Sequence, residues 1–126
     1  MKQRTYSGSR WEAQASYCRA IRSGSFIAVS GTTAVDENGE VVGESVYQQA
    51  VFVFAKIERA LGELGARLDD VVRTRTFITD MNQFEGFARA HREMFQDIDP
   101  AATCLGVSAL VDERLLIEIE VDALLP

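Results

Sequence analysis

The chain has 126 residues, the length of one ordinary domain, and 47% of them are hydrophobic and 25% charged, as in folded globular proteins. A net charge of −6 argues against a broad nucleic-acid-binding surface, because phosphate binding requires concentrated positive charge. Residues 1–11 lack the apolar run of a signal peptide and no segment is apolar over the length of a bilayer, so we expect a single cytoplasmic domain over residues 1–126 without a membrane partner.

The first half of the chain predicts a β-hairpin followed by a long helix. Residues 17–31 contain two β-rich runs that flank Gly24, and glycine tolerates the positive φ of a turn. A helix is predicted to begin near Ser45, whose hydroxyl can cap the first backbone amides while Gln48 reaches back, and to stop at a left-handed Gly65. The apolar stripe of this helix comprises Val46, Ala50, Val53, Ile57, Leu61 and Leu64.

The second half predicts a strand, a second helix and two further strands. Residues 71–79 are rich in β-branched side chains, and Asn82 then offers a capped helix start. The helical spacing continues until Pro100, which cannot extend a helix. The last two strands are predicted at residues 102–110 and 115–124. The order β-β-α-β-α-β-β, with room for a short strand before Tyr6, predicts a two-layer α/β (α+β) fold with both helices on one sheet face.

The helix-free sheet face is predicted to carry charge. In the last strand, apolar residues alternate with Glu118, Glu120 and Asp122, while Arg73 and Arg75 share a face of an earlier strand. In one interpretation these acids and arginines are solvated or pair with each other. In the other, Glu118 has a raised pKa and handles protons or water in a cleft, and Arg73 or Arg75 binds an anionic ligand.

Several single residues have both a packing and a functional interpretation. Cys104 is either a small buried hydrophobe or a cleft residue, and no histidine is near it in sequence. The only histidine, His91, is interpreted as a hydrogen-bonded packing residue of the second helix. Amides and hydroxyls at Gly31 and Thr32 could hold a polar ligand group, and the Tyr17 hydroxyl could orient one. With two distant cysteines and one histidine, we expect free thiols and no metal site.

Five segments along nearly the whole chain share their order and spacing with a known family. They are Tyr17 ahead of a hairpin, the strand end Val29-Ser30-Gly31, the loop Asn38-Gly39-Glu40-Val41, the strand and turn at residues 71–84, and Pro100-Ala101 leading to Cys104 and then to residues 117–120. Together these segments resemble the RidA/YjgF family, which also has the older label L-PSP endoribonuclease or translation inhibitor. Their joint spacing, and no single motif, carries the resemblance.

The resemblance implies a chorismate-mutase-like fold with a mixed sheet. It also implies a homotrimer in which the helix-free sheet faces pack around a central barrel and three small-molecule clefts lie between neighbouring subunits. Well-understood members hydrolyse reactive enamines and imines, such as 2-aminoacrylate, to 2-keto acids and ammonia. They need no metal or organic cofactor, so the implied partners of this chain are its own copies and a small-molecule ligand.

The resemblance also assigns cleft residues. Those that match are Tyr17, Ser30, Gly31, Cys104 and Glu118, with Glu118 in the place of the carboxylate that orients water. Active deaminases have an arginine directly after Pro-Ala that binds the substrate carboxylate, and Ala102 stands there in this chain. Ordinary 2-imino acids should therefore bind poorly unless Arg73, Arg75 or Arg89 reaches the same space. Compared with those deaminases, this chain also has one extra residue between Cys104 and Glu118.

Three functions follow as alternatives, and the sequence leaves open whether the chain is an enzyme. The first is a deaminase-like hydrolase of imines or enamines, with Glu118 activating water. The second is a non-catalytic trimer that binds a small metabolite as a sensor or scavenger, which Ala102 favours. The third is the ribonuclease or translation-inhibitor role of the older label, which the net charge and the lack of a paired-histidine site oppose.

Overall fold

One six-stranded sheet and three helices make up the computed structural model, which describes all 126 residues. The strands are β1 (Lys2–Thr5), β2 (Ala20–Ser23), β3 (Phe26–Thr33), β4 (Val71–Ile78), β5 (Ala101–Gly106) and β6 (Ile117–Leu124). The helices are α1 (Arg10–Ala15), α2 (Val46–Glu63) and α3 (Phe84–Phe95), with 3₁₀ turns at Leu68–Asp70 and Met81–Gln83. This is the two-layer α+β fold with a mixed sheet that the sequence predicts.

The last strand of the chain lies in the middle of the sheet. The strand order is β1-β2-β3-β6-β4-β5, and every neighbouring pair is antiparallel except β4 and β5, which α3 connects. Ile119 of β6 lies opposite Thr32 on one side and Thr76 on the other. Because β6 is paired on both edges, its register fixes which way each of its side chains points.

The two long helices pack on one face of this sheet. All six residues of the predicted α2 stripe are buried, with at most 5% of each exposed. They share a core with Ile117, Ile119, Val121 and Ala123 of β6, each of which is fully buried. Burial of each large apolar side chain contributes about 1.5–3 kcal/mol. The predicted alternation of β6 is therefore confirmed, and its three acids point to the helix-free face.

The ends of α2 follow the sequence signals. The hydroxyl of Ser45 accepts a hydrogen bond from the backbone N–H of Gln48 at 3.2 Å, and Gly65 has a φ of +86° just beyond the helix. The Gln48 side chain reaches back as predicted, but it accepts from the N–H of Glu44, one residue before the expected cap.

The second long helix is shorter than the sequence predicts. Asn82 is not its cap, because the carboxylate of Asp80 accepts from the backbone N–H of Asn82 at 2.9 Å and starts a 3₁₀ turn before α3. The helix then ends at Phe95, well before Pro100, because Asp97 and Asp99 adopt the left-handed conformation with φ of +69° and +49°.

The other strand predictions hold except for their boundaries. The hairpin forms from β2 and β3 around Gly24, which has a φ of +62°, and the short strand before Tyr6 is β1. The predicted strands at 102–110 and 115–124 are both too long, because residues 107–116 form a loop between β5 and β6. The sequence did not predict α1. None of the helices combines the length and the apolar character needed to span a membrane.

A buried glutamine anchors the loop that leads into β6. The Gln49 side chain donates to the carbonyl oxygens of Gly43 at 3.1 Å and Arg114 at 2.9 Å. Its own carbonyl oxygen accepts from the backbone N–H of Leu116 at 2.8 Å. These three bonds satisfy backbone groups that no strand pairs, and they hold the start of β6 against α2.

Candidate functional site

A cavity of about 250 Å³ lies where the N-terminal segment meets β3, β6 and α2. Its wall contains two cationic side chains and one acidic side chain among small and aromatic residues. The lining residues are Ser7, Ser9, Trp11, Tyr17, Arg19, Gly31, Thr33, Lys56, Val111 and Glu118. Because charged and hydroxyl-bearing side chains predominate among the lining residues, the cavity suits a small molecule with polar groups.

Glu118 lies directly against the backbone of Gly31. The two residues are diagonal neighbours across the β3–β6 pair, in which Thr33 is opposite Glu118. A Cβ atom placed on Gly31 would be 2.1 Å from the Oε2 atom of Glu118, which is far inside van der Waals contact. Glycine at position 31 therefore leaves the space in which the Glu118 carboxyl group lies.

Glu118 is the one acid of β6 without an ion pair. Arg75 lies between the other two, with Nη1 3.2 Å from Glu120 and Nη2 3.1 Å from Asp122. Burial raises the pKa of Glu118, the Arg19 charge partly opposes this, and the charge of Glu120 adds to it. A half-buried carboxyl group with a raised pKa can take a proton from water and return it at a pH nearer neutrality than an ordinary glutamate can.

Arg19 is held by a buried ion pair beneath the cavity. Its Nε lies 3.1 Å from Oε2 of Glu12, and these side chains are only 7% and 4% exposed. Its Nη1 donates to the carbonyl oxygen of Gly31 at 2.6 Å and to the hydroxyl of Thr32 at 2.9 Å. The backbone N–H of Ser7 donates to the same Glu12 carboxylate at 3.1 Å. Arg19 thus connects Glu12 of α1 to Gly31 of β3, the residue against which Glu118 lies.

The second cation of the cavity is Lys56 of α2. Its ammonium donates to the carbonyl oxygens of Thr33 and Val35, each at 2.8 Å, just where β3 ends. Burial lowers the pKa of Lys56 to about 8, and the nearby positive charge of Arg19 adds to this effect. A lysine with this pKa is partly neutral near physiological pH.

The structure brings together some of the predicted site residues. Tyr17, Gly31 and Glu118 line one cavity, and the Tyr17 ring lies 5.7 Å from the guanidinium carbon of Arg19. Thr32 is fully buried and hydrogen-bonds to Arg19, so it supports the wall from behind. Ser30 donates its hydroxyl to the carbonyl oxygen of Cys18 at 2.7 Å. Cys18 and Cys104 are both free thiols.

Four other predicted ligand-binding residues lie outside this cavity within one chain. Arg73 and Arg75 are on β4, and the pairing of Arg75 with the acids of β6 matches the first interpretation of these residues. Ala102 and Cys104 are on the edge strand β5, where burial raises the pKa of the Cys104 thiol.

Two further residues of interest lie on α3, away from the cavity. The guanidinium carbon of Arg89 lies 4.3 Å from the ring centre of Tyr47, and Arg89 also pairs with Glu93. His91 is a packing residue, as predicted, with Nε2 2.9 Å from the Thr74 hydroxyl.

Three charged residues of the site were missed at the sequence level. Lys56 carried a usable signal, because it follows buried Val53 by three positions and precedes buried Ala60 by four, which places it beside the apolar stripe. Arg19 and Glu12 had no such signal, because their pairing depends on where the short helix α1 packs. The charged groups of the cavity do not form a set of metal ligands.

We predict that Gly31→Ala displaces the Glu118 carboxyl group without unfolding the chain. The new Cβ atom collides with the far end of a flexible side chain, which can rotate toward solvent, so the change in stability should stay within about 1 kcal/mol. Loss of burial should return the Glu118 pKa toward the ordinary value of 4.5, as measured by carboxyl-carbon NMR titration.

The control for this variant is Gly62→Ala in α2, where a Cβ atom meets nothing within 4 Å. It should stabilise the chain by about 0.5–1 kcal/mol and leave the Glu118 titration unchanged. An unaltered Glu118 pKa in Gly31→Ala would contradict the close contact.

Comparison with known proteins gives consistent matches over nearly the whole chain. Residues 7–125 match the protein family described as endoribonuclease L-PSP. An uncharacterized protein of Streptomyces coelicolor is 34% identical over 121 residues, which cover 95% of this chain and 90% of that protein. The mitochondrial protein MMF1 of Saccharomyces cerevisiae is 32% identical over 98 residues, covering 78% of this chain and 68% of that one.

A crystal structure of a Mycobacterium tuberculosis protein, described as a member of the highly conserved YjgF/YER057c/UK114 family, superposes with a TM-score of 0.92. It is 36% identical and covers 99% of this chain and 100% of its own.

Proposed function

Because the chain belongs to the endoribonuclease L-PSP family, which is the RidA/YjgF family, we propose that it hydrolyses small imines or enamines in the Glu118 cavity, with no metal or organic cofactor. The observation that carries this proposal is the unpaired, half-buried Glu118 carboxyl group against Gly31 in a small polar cavity. A carboxyl group so placed can accept a proton from water beside a bound C=N group.

The proposed reaction consists of proton transfers around one addition step. An enamine first tautomerises to its imine. Water then adds to the imine carbon while ionised Glu118 accepts one proton from this water and passes it to the imine nitrogen, which gives a carbinolamine. Glu118 next accepts the hydroxyl proton as the C=O bond forms and delivers it to the nitrogen, so that the C–N bond breaks and ammonia leaves. The balance is one imine plus one water giving one carbonyl compound plus one ammonia, and Glu118 ends ionised.

The proposal is tested by generating imines in situ with an amino-acid oxidase and measuring keto-acid release. The expected result is release faster than with the oxidase alone, across at least part of a panel of amino acids. An arginine-bearing relative serves as the positive control. No acceleration over the whole panel, while that relative is active, would reject the hydrolase.

A second candidate is a trimer that binds a small metabolite without converting it. Ala102 favours this reading, because β5 offers no cation in the place where deaminases bind the substrate carboxylate. Thermal-shift screening separates the two functions: a ligand that stabilises the protein and is recovered unaltered supports binding, and a ligand that is consumed supports catalysis.

We propose that the helix-free sheet face is the interface of a homotrimer. Exposed apolar residues lie at both of its ends: Phe26 is opposite Leu124 at one end, and Leu105 is opposite the half-buried Phe77 at the other. Between them lie Arg75 and its acidic partners. Exposed apolar patches next to charged side chains are typical of protein interfaces. Within such a trimer, β5 of one subunit could complete the cavity of its neighbour.

We predict that Leu105→Glu converts the trimer to monomers, because a buried unpaired carboxylate opposes association. Light scattering at micromolar concentration should give the mass of three chains for the wild type and one for the variant. The control is Val51→Glu, which changes an exposed valine of α2 on the other side of the molecule and should remain trimeric. A monomeric wild type would reject the interface.

We propose a small-molecule ligand and not RNA, despite the family description. The protein has a net charge of −6, and of the two cations in this small cavity Arg19 is buried and Lys56 is half-buried. The cytoplasm stays our proposal for location, although the yeast relative is described as mitochondrial.

A further inference from the structure

One cation of the cavity, Lys56, has an N–H group without a hydrogen-bond partner. Lys56 lies in a wall that the Glu118 cavity shares with a second cavity of about 430 Å³. Two of its three N–H groups are accounted for by the carbonyl oxygens of Thr33 and Val35. No carboxylate lies within ion-pair distance of its nitrogen. The third N–H therefore has no partner in the chain.

Arg19, the other cation, is already compensated. Its Nε and Nη1 are held by Glu12, Gly31 and Thr32. Its Nη2 has no partner in the chain, but its charge is neutralised by the buried Glu12 carboxylate. Lys56 has only neutral carbonyl partners. A cation that is largely removed from water and paired with no anion is a site where a ligand anion is stabilised.

We propose that Lys56 is the anion-binding group of this cavity, and that the ligand carries a carboxylate or a similarly small monoanionic group at the Lys56 end. This inference rests on the proposed function for the reacting group and adds the residue that binds the anionic end of the ligand. It also supplies a cation in place of the arginine that Ala102 replaces, and this cation comes from α2 and not from Arg73, Arg75 or Arg89.

The charges of the cavity fit a ligand with two distinct ends. Lys56 bonds to the carbonyl oxygens of Thr33 and Val35, whereas the Glu118 carboxyl group lies against Gly31, earlier in β3. Both side chains line the same cavity, which therefore has a cationic end at Lys56 and an acidic end at Glu118. An acid whose C=N group is near its carboxylate could place the anion at one end and the reacting carbon at the other.

Anion binding should be coupled to proton uptake. The groups that face Lys56 are Arg19 before β2, Glu12 of α1 and Asp36 after β3, with Glu118 of β6 in the same cavity. The second cavity adds Glu37, Arg59 and Glu63. Only the ammonium form binds an anion, so affinity should be constant below about pH 8 and fall about tenfold for each pH unit above it. A bound anion favours the ammonium and raises the Lys56 pKa.

The test uses pyruvate, a stable keto acid, and the uncharged analogue pyruvamide, with binding measured by calorimetry at pH 7. Pyruvate should bind the wild type more tightly than pyruvamide does, and Lys56→Met should weaken pyruvate binding by about tenfold or more. Lys2→Met is the matched control, because Lys2 is the only other lysine and is exposed on β1. Arg59→Met removes a cation that lines only the second cavity, and it should leave pyruvate binding unchanged.

A second measurement covers the case in which Lys56→Met fails to fold. With only two lysines, side-chain carbon NMR of the wild type gives two lysine titrations, and Lys2→Met assigns them. Addition of pyruvate should raise the Lys56 pKa from about 8 and leave that of Lys2 unchanged. An unmoved Lys56 titration at saturating pyruvate would overturn the proposal, as would a loss of affinity in Arg59→Met equal to that in Lys56→Met.

These outcomes are separable from those of the proposed function. If pyruvate binding depends on Lys56 but no imine is hydrolysed, the anion site stands and the hydrolase is rejected. If imines are hydrolysed in a Glu118-dependent reaction but pyruvate affinity is the same in the wild type and Lys56→Met, only the anion site is rejected.

Discussion

Replacement of Glu118 by glutamine is expected to lower kcat/KM for imine hydrolysis by about 10²–10⁴-fold, the usual contribution of a general base. The amide keeps the size of the side chain and its place against Gly31 but cannot accept a proton from water. In the wild type, the rate should rise with pH as Glu118 ionises, with a midpoint above 4.5, because burial raises this pKa. The measurement is the pH profile of keto-acid release, and this rise should be absent in Glu118→Gln.

The matched control is Glu120→Gln. Glu120 lies on the same face of the same strand, but Arg75 neutralises it, so its loss should change kcat/KM by less than about threefold. Equal losses of activity in the two variants would mean that the charge of the whole face matters and that Glu118 has no special role.

Replacement of Arg19 by methionine is expected to destabilise the protein by about 3–5 kcal/mol, because it leaves the buried carboxylate of Glu12 without its cation. The effect should appear as a lower midpoint of denaturant unfolding at pH 7. Arg89→Met removes an ion pair within α3 whose side chains are 60% and 47% exposed, and should lower that midpoint far less.

The pH dependence gives a second check on the buried pair. Burial by itself would raise the pKa of Glu12, but hydrogen bonds from Ser7 and the charge of Arg19 lower it overall. In the wild type this stability is present above 4.5 and is lost as the pH falls through the lower, folded-state pKa. In Arg19→Met the Glu12 carboxyl group loses the charge that lowers its pKa, so its pKa rises, and the penalty should shrink as the pH falls from this higher pKa to that of the wild type. A double variant, Arg19→Met with Glu12→Gln, should recover much of the loss. An unchanged unfolding midpoint in Arg19→Met would contradict the pair.

The sequence predicted the fold because its strongest patterns are local. The period of the α2 stripe, the cap at Ser45 and the alternation of β6 each depend on near neighbours in the chain, and all three are confirmed. Boundaries were less accurate where side-chain caps and left-handed residues compete with the pattern. Asp80 replaced Asn82 as a cap, and Asp97 ended α3 before Pro100.

The candidate site was only partly predictable. Glu118 and Gly31 were identified from strand alternation and from the resemblance to a family, and they line one cavity with Tyr17. Arg19 and Lys56 were not, since their roles depend on contacts between segments far apart in sequence, such as Lys56 with the end of β3. The alternation within β6 also could not show which of its acids lacks an ion pair, because Arg75 reaches Glu120 and Asp122 from the neighbouring strand.

The hydrogen bonds of the Gln49 side chain determine where this chain tolerates changes in length. Those to Arg114 and Leu116 fix the entry to β6 independently of what precedes them in the loop. Insertions or deletions upstream of Arg114 can therefore be absorbed at the loop tip. A single residue gained or lost after Leu116 would instead rotate every side chain of β6 to the opposite face, which would bury three acids in the core and expel four apolar residues.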